Sequence, residues 1–103
     1  MIKKELLNPR RIRKINGSFA FIEHRFRGWI NYLSQEELLL YFFLVLAADD
    51  QGLSYYRPET IGERLQLSPD QYRRALKGLV TRDLIAFREP LFQVLSLPER
   101  RNP

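Results

Sequence analysis

The sequence predicts an α+β domain, mostly helical, with a small antiparallel sheet, and three observations lead there. Ser34-Gln-Glu-Glu37 and Ser68-Pro-Asp-Gln71 are capping boxes, each opening a run of apolar residues. Leu84-Ile-Ala-Phe87 and Leu91-Phe-Gln-Val-Leu95 are β-prone runs separated only by Arg88-Glu89-Pro90, the pattern of a hairpin with a very short tip. Between the boxes, Asp49-Asp-Gln-Gly52 and Pro58 punctuate the chain.

Residues 1–17 lack a sustained apolar period and end in Asn16-Gly17, which predicts a basic, mobile arm ahead of one domain over residues 18–97. Ser18 to Phe21 is expected to be a short extended piece. From Ile22, the apolar positions Phe26, Trp29, Ile30 and Leu33 follow helical offsets, with Gly28 as a weak point. The helix opened by Ser34 should run to about Ala48. It is apolar nearly all round, the pattern of a central buried helix. Gly52 is placed to serve as its C-cap, and Leu53 to Tyr56 to form a short strand.

Pro58 suits a first helical position, so residues 58–66 form the next helix, with Ile61, Gly62 and Leu65 inward and Leu67 as a plug beyond it. The helix opened by Ser68 buries Tyr72, Ala75, Leu76, Leu79 and Val80 at the three-and-four spacing. The hairpin follows, and residues 98–103, with proline at both ends, read as a frayed tail. Helix, short strand, short helix, tight turn, longer helix and hairpin is the order of a winged helix-turn-helix.

The stretch "LSYYRPETIGERLQLSPDQYRRALKGLVTRDLIAF" resembles the winged-helix DNA-binding domains of bacterial regulators and replication initiators. In that pattern a small residue sits in the first motif helix, a serine caps the second, and "L…LI" leads into the wing. Gly62, Leu65, Leu67, Ser68, Tyr72, Ala75, Leu76, Leu79, Leu84 and Ile85 fall on those positions. "LSQEELLLYFFLVLAADDQGLSYY" is similar to the lead-in helix and first strand of the initiator type, and the whole chain more loosely resembles small winged-helix proteins of bacterial mobile elements. The likeness covers residues 34–97 and hardly reaches the first third. It departs where such domains commonly have glycine and this chain has Gln66 and Asp83, and at Arg57, where serine or threonine is the usual cap. A left-handed backbone at either of the first two costs on the order of 1 kcal/mol.

Charge is segregated along the chain. Residues 1–14 hold six cations against Glu5, a balance of +5 that equals the excess of the whole sequence. Residues 34–63 hold six acids against Arg57, whereas residues 64–88 hold six cations against Asp70 and Asp83. Such polarity suits a polyanion met by the arm and by residues 64–88, or a solubilising tail and a solvated helix face.

With the helix after Ser68 anchored by its apolar stripe, the resemblance places its outward side in the major groove of duplex DNA. Gln71 can bond an adenine edge and Arg74 a guanine edge, while Arg73, Lys77 and Arg82 can neutralise phosphates. Gly78 either permits close backbone approach or is simply tolerated. Arg88 at the wing tip offers a phosphate contact, and Arg10, Arg11, Arg13 and Lys14 can follow a minor groove or the phosphates. Phe19, Phe26, Trp29 and Tyr32 are either core or the interface of a homodimer on a palindromic site. The alternative function is a winged helix used only as a protein-interaction module.

Other classes are not expected. There is no cysteine, and His24 is the only histidine, so neither a disulfide framework nor a metal site is indicated. Glu36-Glu37 and Asp49-Asp50 sit where helix ends explain them, and no nucleophile and base or phosphate-cradling loop is present. An enzyme, a cofactor and a small-molecule ligand are therefore not anticipated. The longest apolar run, Leu38 to Ala48, is about half the roughly 20 residues a membrane span needs. Asn8, Pro9 and the arginines stand where a signal peptide would be apolar, so a cytoplasmic protein is expected.

Overall fold

A computed structural model describes residues 8–11 and 19–98. The architecture is α+β and compatible with a winged helix-turn-helix. It comprises α1 (Gln35–Ala47), β1 (Leu53–Tyr55), α2 (Pro58–Leu65), α3 (Pro69–Thr81), β2 (Ile85–Arg88) and β3 (Leu91–Val94). The strands form one antiparallel sheet in the order β1-β3-β2. Phe92 at its centre pairs with Ser54 on one side and Phe87 on the other, and is fully buried. Among the described residues no helix is long and apolar enough to cross a membrane.

Both capping boxes form. The Glu37 N–H donates to Ser34 Oγ at 3.1 Å, and the Ser34 N–H returns a bond to Glu37 Oε1 at 2.7 Å. In the second, the Gln71 N–H donates to Ser68 Oγ at 3.1 Å and the Ser68 N–H to Gln71 Oε1 at 2.8 Å. Each box satisfies amides that a helix start otherwise leaves orphaned.

Helices α2 and α3 also end alike. Gln66 (φ 58°) and Asp83 (φ 63°) both take the left-handed conformation. The Leu67 N–H donates to Gly62 O at 2.9 Å and the Leu84 N–H to Leu79 O at 3.0 Å, closing a Schellman turn each time. The chain thus keeps the left-handed geometry without the glycines. A Cβ on Gly62 would lie 3.0 Å from the Leu67 carbonyl oxygen, so the small residue lets the turn fold back tightly. Arg57 precedes α2 in extended conformation and makes no side-chain cap.

The end of α1 differs from the expected glycine cap. The backbone turns extended at Ala48, and Asp49 Oδ1 then accepts the N–H groups of Gln51 (2.8 Å) and Leu53 (2.9 Å). Gly52, at φ 85°, completes this aspartate-centred turn. Its Cβ would meet the Val94 carbonyl at 2.6 Å, so the turn packs directly on β3.

The core is built where α1 crosses α3 above the sheet. Leu40 and Leu44 of α1, Ile61 of α2, Leu79 of α3, and Leu84 and Phe92 are completely buried there. Most of the circumference of α1 packs on this core, Leu38, Phe43 and Val45 included, but a narrow strip of Leu39, Phe42 and Leu46 faces out, against the expectation of burial all round. In the first third, the expected helix is instead a 3-10 segment, His24–Trp29, followed by turns to Leu33. With three residues per turn, Phe26 and Trp29 fall on one side and go inward, whereas Ile30 rotates out. Phe19 to Glu23 join no ladder, and Ser18 lies outside the described residues.

Two of the four residues named for a homodimer interface are corrected here. Phe26 (7% exposed) and Trp29 (5%) are core, with Phe26 stacked on Tyr41 at 4.5 Å between ring centroids. Phe19 and Tyr32 remain on the surface.

Candidate nucleic-acid interface

The helix carrying most of the candidate residues, α3, is held on three sides of its circumference. Tyr72, Ala75 and Leu79 are buried and Leu76 half-buried, while Val80, further round, is exposed. Turned away from this stripe are Asp70, Arg73, Arg74, Lys77 and Thr81, all exposed. Arg73 is paired with the Asp70 carboxylate one turn earlier. Arg74 and Lys77 make no ion pair or side-chain hydrogen bond among the described residues. Three positions apart, they are neighbours on one helical face and leave two cations open to solvent.

Gln71 stands at the edge of that face, half-buried, with its Oε1 already accepting the Ser68 N–H. A bidentate bond to adenine needs that oxygen as well as the amide nitrogen. While the cap is closed the nitrogen is free for a ligand, whereas the oxygen is held on the Ser68 N–H with one lone pair left.

Arg82 requires a correction. Its Nη1 donates to Glu37 Oε2 at 2.7 Å and to Gly78 O at 3.4 Å, and its Nη2 to Tyr32 O at 3.3 Å. The guanidinium is drawn inward because Glu37, only 9% exposed in its side chain, must have a counter-charge. Arg82 therefore ties α3 to α1 and leaves the set of free phosphate ligands. Gly78 belongs to the same arrangement: a Cβ there would stand 1.6 Å from Glu37 Oε2. Its bareness makes room for the ion pair, a role neither open reading of this glycine had named.

At the β2–β3 hairpin, Arg88 and Leu91 face each other across the two-residue tip Glu89-Pro90. Arg88 is exposed, with Glu89 beside it. In the arm, Pro9–Arg11 make one 3-10 turn in which the Arg10 N–H donates to Asn8 Oδ1 at 3.2 Å, and Arg10 is exposed. Arg11 is part of this turn through its backbone, and Arg13 and Lys14 lie outside the described residues.

On the far flank of α3, the Tyr72 hydroxyl is buried without a hydrogen-bond partner among the described residues. Burial first, then the carboxylates of Glu89 and Glu59, push its pKa up to about 12. Tyr41 is raised by burial and by Glu23. Both effects disfavour the phenolate and leave the phenol neutral at physiological pH. Among the described residues no group of three or more histidines, cysteines or acids could hold a metal ion.

Compared with protein-family models, curated proteins and solved structures, the chain matches none.

Proposed function

We propose that the chain is a winged-helix protein that binds double-stranded DNA sequence-specifically, laying α3 in the major groove, as a small regulator or an accessory to replication or transposition. The observation carrying this reading is the pairing of a rigidly capped, core-anchored helix after a tight turn with two cations on its outward face, Arg74 and Lys77, that are unpaired among the described residues. Arg74, nearer the N-terminal end, reads a guanine edge, and Lys77 meets phosphate. Arg73 joins the phosphate contacts by exchanging Asp70 for the backbone, and the amide nitrogen of Gln71 adds a single bond. Arg88 touches phosphate from the wing. Arg10, with Arg11, Arg13 and Lys14, neutralises the flanking backbone.

Selection from a random duplex pool, followed by sequencing, tests this reading. One enriched motif that is lost or altered in Arg74→Ala is the expected result. A pool returned without enrichment refutes sequence-specific binding. It would also favour the second reading, a protein-interaction module, for which the exposed apolar side of α1 is the supporting observation.

A further inference from the structure

We infer that the chain forms a two-fold symmetric dimer in which the outer side of α1 packs antiparallel on α1 of a second copy, independently of the DNA reading. Leu39, Phe42 and Leu46, spaced three and four residues apart, make an exposed apolar seam along this 13-residue helix. Beside the seam runs a groove of about 730 Å³ lined by Ile22, Ile30 and Leu38. Phe19 and Phe21 extend the apolar surface past the C-terminal flank of α1, where they line a second hollow with Val45 and Ala48.

The size of this surface argues for a stable interface. Phe42 is 53% exposed, Phe19 70% and Phe21 74%. At 150–250 Å² per aromatic side chain, these three rings alone present roughly 400 Å², already within the range of the largest patch on an ordinary monomer. A standard interface needs about 800 Å² per partner, and Leu39, Leu46, Ile22 and Ile30 are still to be added.

Charge selects the occupant and its direction. Arg27 and Gln35, the first residue of α1, both line the groove, and the only side-chain bond of Arg27 among the described residues is from Nε–H to the His24 carbonyl at 3.4 Å. The C-terminal end of α1 carries Asp49 and Asp50, of which Asp49 is engaged in its own turn and Asp50 is exposed and unpaired among the described residues. In an antiparallel pairing centred on Phe42, Leu39 meets the second copy's Leu46, and Arg27 meets the second copy's Asp50, the contact occurring twice. A parallel pairing would set Arg27 against itself. The surface is thus complementary to its own two-fold image in shape and in sign.

Sedimentation velocity on the full chain across the micromolar range tests the inference. The wild type should approach twice 12.3 kDa. Phe42→Asp should stay monomeric at every concentration with an unchanged far-ultraviolet circular dichroism spectrum. Should Phe42→Asp fail to fold, the charge variants decide the question alone. Arg27→Asp should weaken dimerisation by about tenfold, the pair occurring twice. Adding Asp50→Arg to it should restore the affinity. A wild type that stays monomeric, a dimer unmoved by Phe42→Asp, or a charge exchange weaker than either single change would overturn the inference.

Discussion

Replacing an exposed-helix glycine with alanine ordinarily stabilises a protein by about 1 kcal/mol, and Gly78→Ala should do the opposite. The alanine Cβ would stand 1.6 Å from Glu37 Oε2 and 3.1 Å from Arg82 Nη1. Glu37 must therefore leave. Its departure costs the 2.7 Å bond from Arg82 and the 2.7 Å bond from the Ser34 N–H. Charge-assisted hydrogen bonds contribute roughly 1.5–3 kcal/mol each, and discounting for the partly exposed Arg82 leaves a loss of about 2–3 kcal/mol. Against the helix-propensity gain, the net destabilisation is about 1–2 kcal/mol, or a fall in Tm on the order of 5–10 °C. The assay is urea denaturation of wild type, Gly78→Ala, Glu37→Ala and the double variant at one fixed protein concentration. In the Glu37→Ala background the same glycine change should become stabilising by about 1 kcal/mol. A Gly78→Ala protein more stable than wild type, or equal effects in both backgrounds, would refute the assignment of Gly78 to the ion pair.

Three other outcomes follow from the same geometry. Arg82→Ala should lower stability by about 1–2 kcal/mol, because it strands Glu37, yet leave the salt dependence of duplex binding unchanged in a titrated binding assay. Tyr72→Phe removes a buried hydroxyl that has no partner among the described residues and should stabilise the fold by about 1 kcal/mol in chemical denaturation. Because the folded pKa of Tyr72 lies above the ordinary value of 10.0, its contribution is complete below pH 10 and is lost as pH rises through about 12. Stability measured between those limits should accordingly decline less in the phenylalanine variant. Gln66→Gly should gain roughly 1 kcal/mol by relieving the left-handed backbone, visible as a higher Tm, and Asp83→Gly somewhat less, since aspartate tolerates that region better.

Much of the fold is legible in the sequence because its signals are local. Ser34, Glu37, Ser68 and Gln71 form their capping boxes within four residues, and the left-handed turns at Gln66 and Asp83 stand where the resembled domains commonly have glycine. The hairpin needs only a short tip between two β-prone runs. What the sequence does not convey depends on distant parts of the chain. The Glu37–Arg82 bond spans 45 residues, so nothing near Arg82 or Gly78 announces that both serve an interhelical ion pair. In α1, apolar residues occupy every side, and periodicity cannot tell which side meets the core. Between Ile22 and Leu33, a three-residue and a 3.6-residue period coincide over so few turns that the 3-10 segment reads as an α-helix. The candidate site is read more directly: once Tyr72, Ala75 and Leu79 point inward, helix geometry alone turns Arg74 and Lys77 outward.

The most direct test of the central claim is the salt dependence of duplex affinity for wild type and for the Arg74→Ala, Lys77→Ala double variant. If Lys77 lies on a phosphate and Arg74 on a base edge, log K should fall with log salt about one unit less steeply in the variant and the preference for one duplex sequence should be lost, with the melting temperature unchanged. An identical slope together with an unchanged sequence preference in the two proteins would mean that the outward face of α3 does not touch DNA.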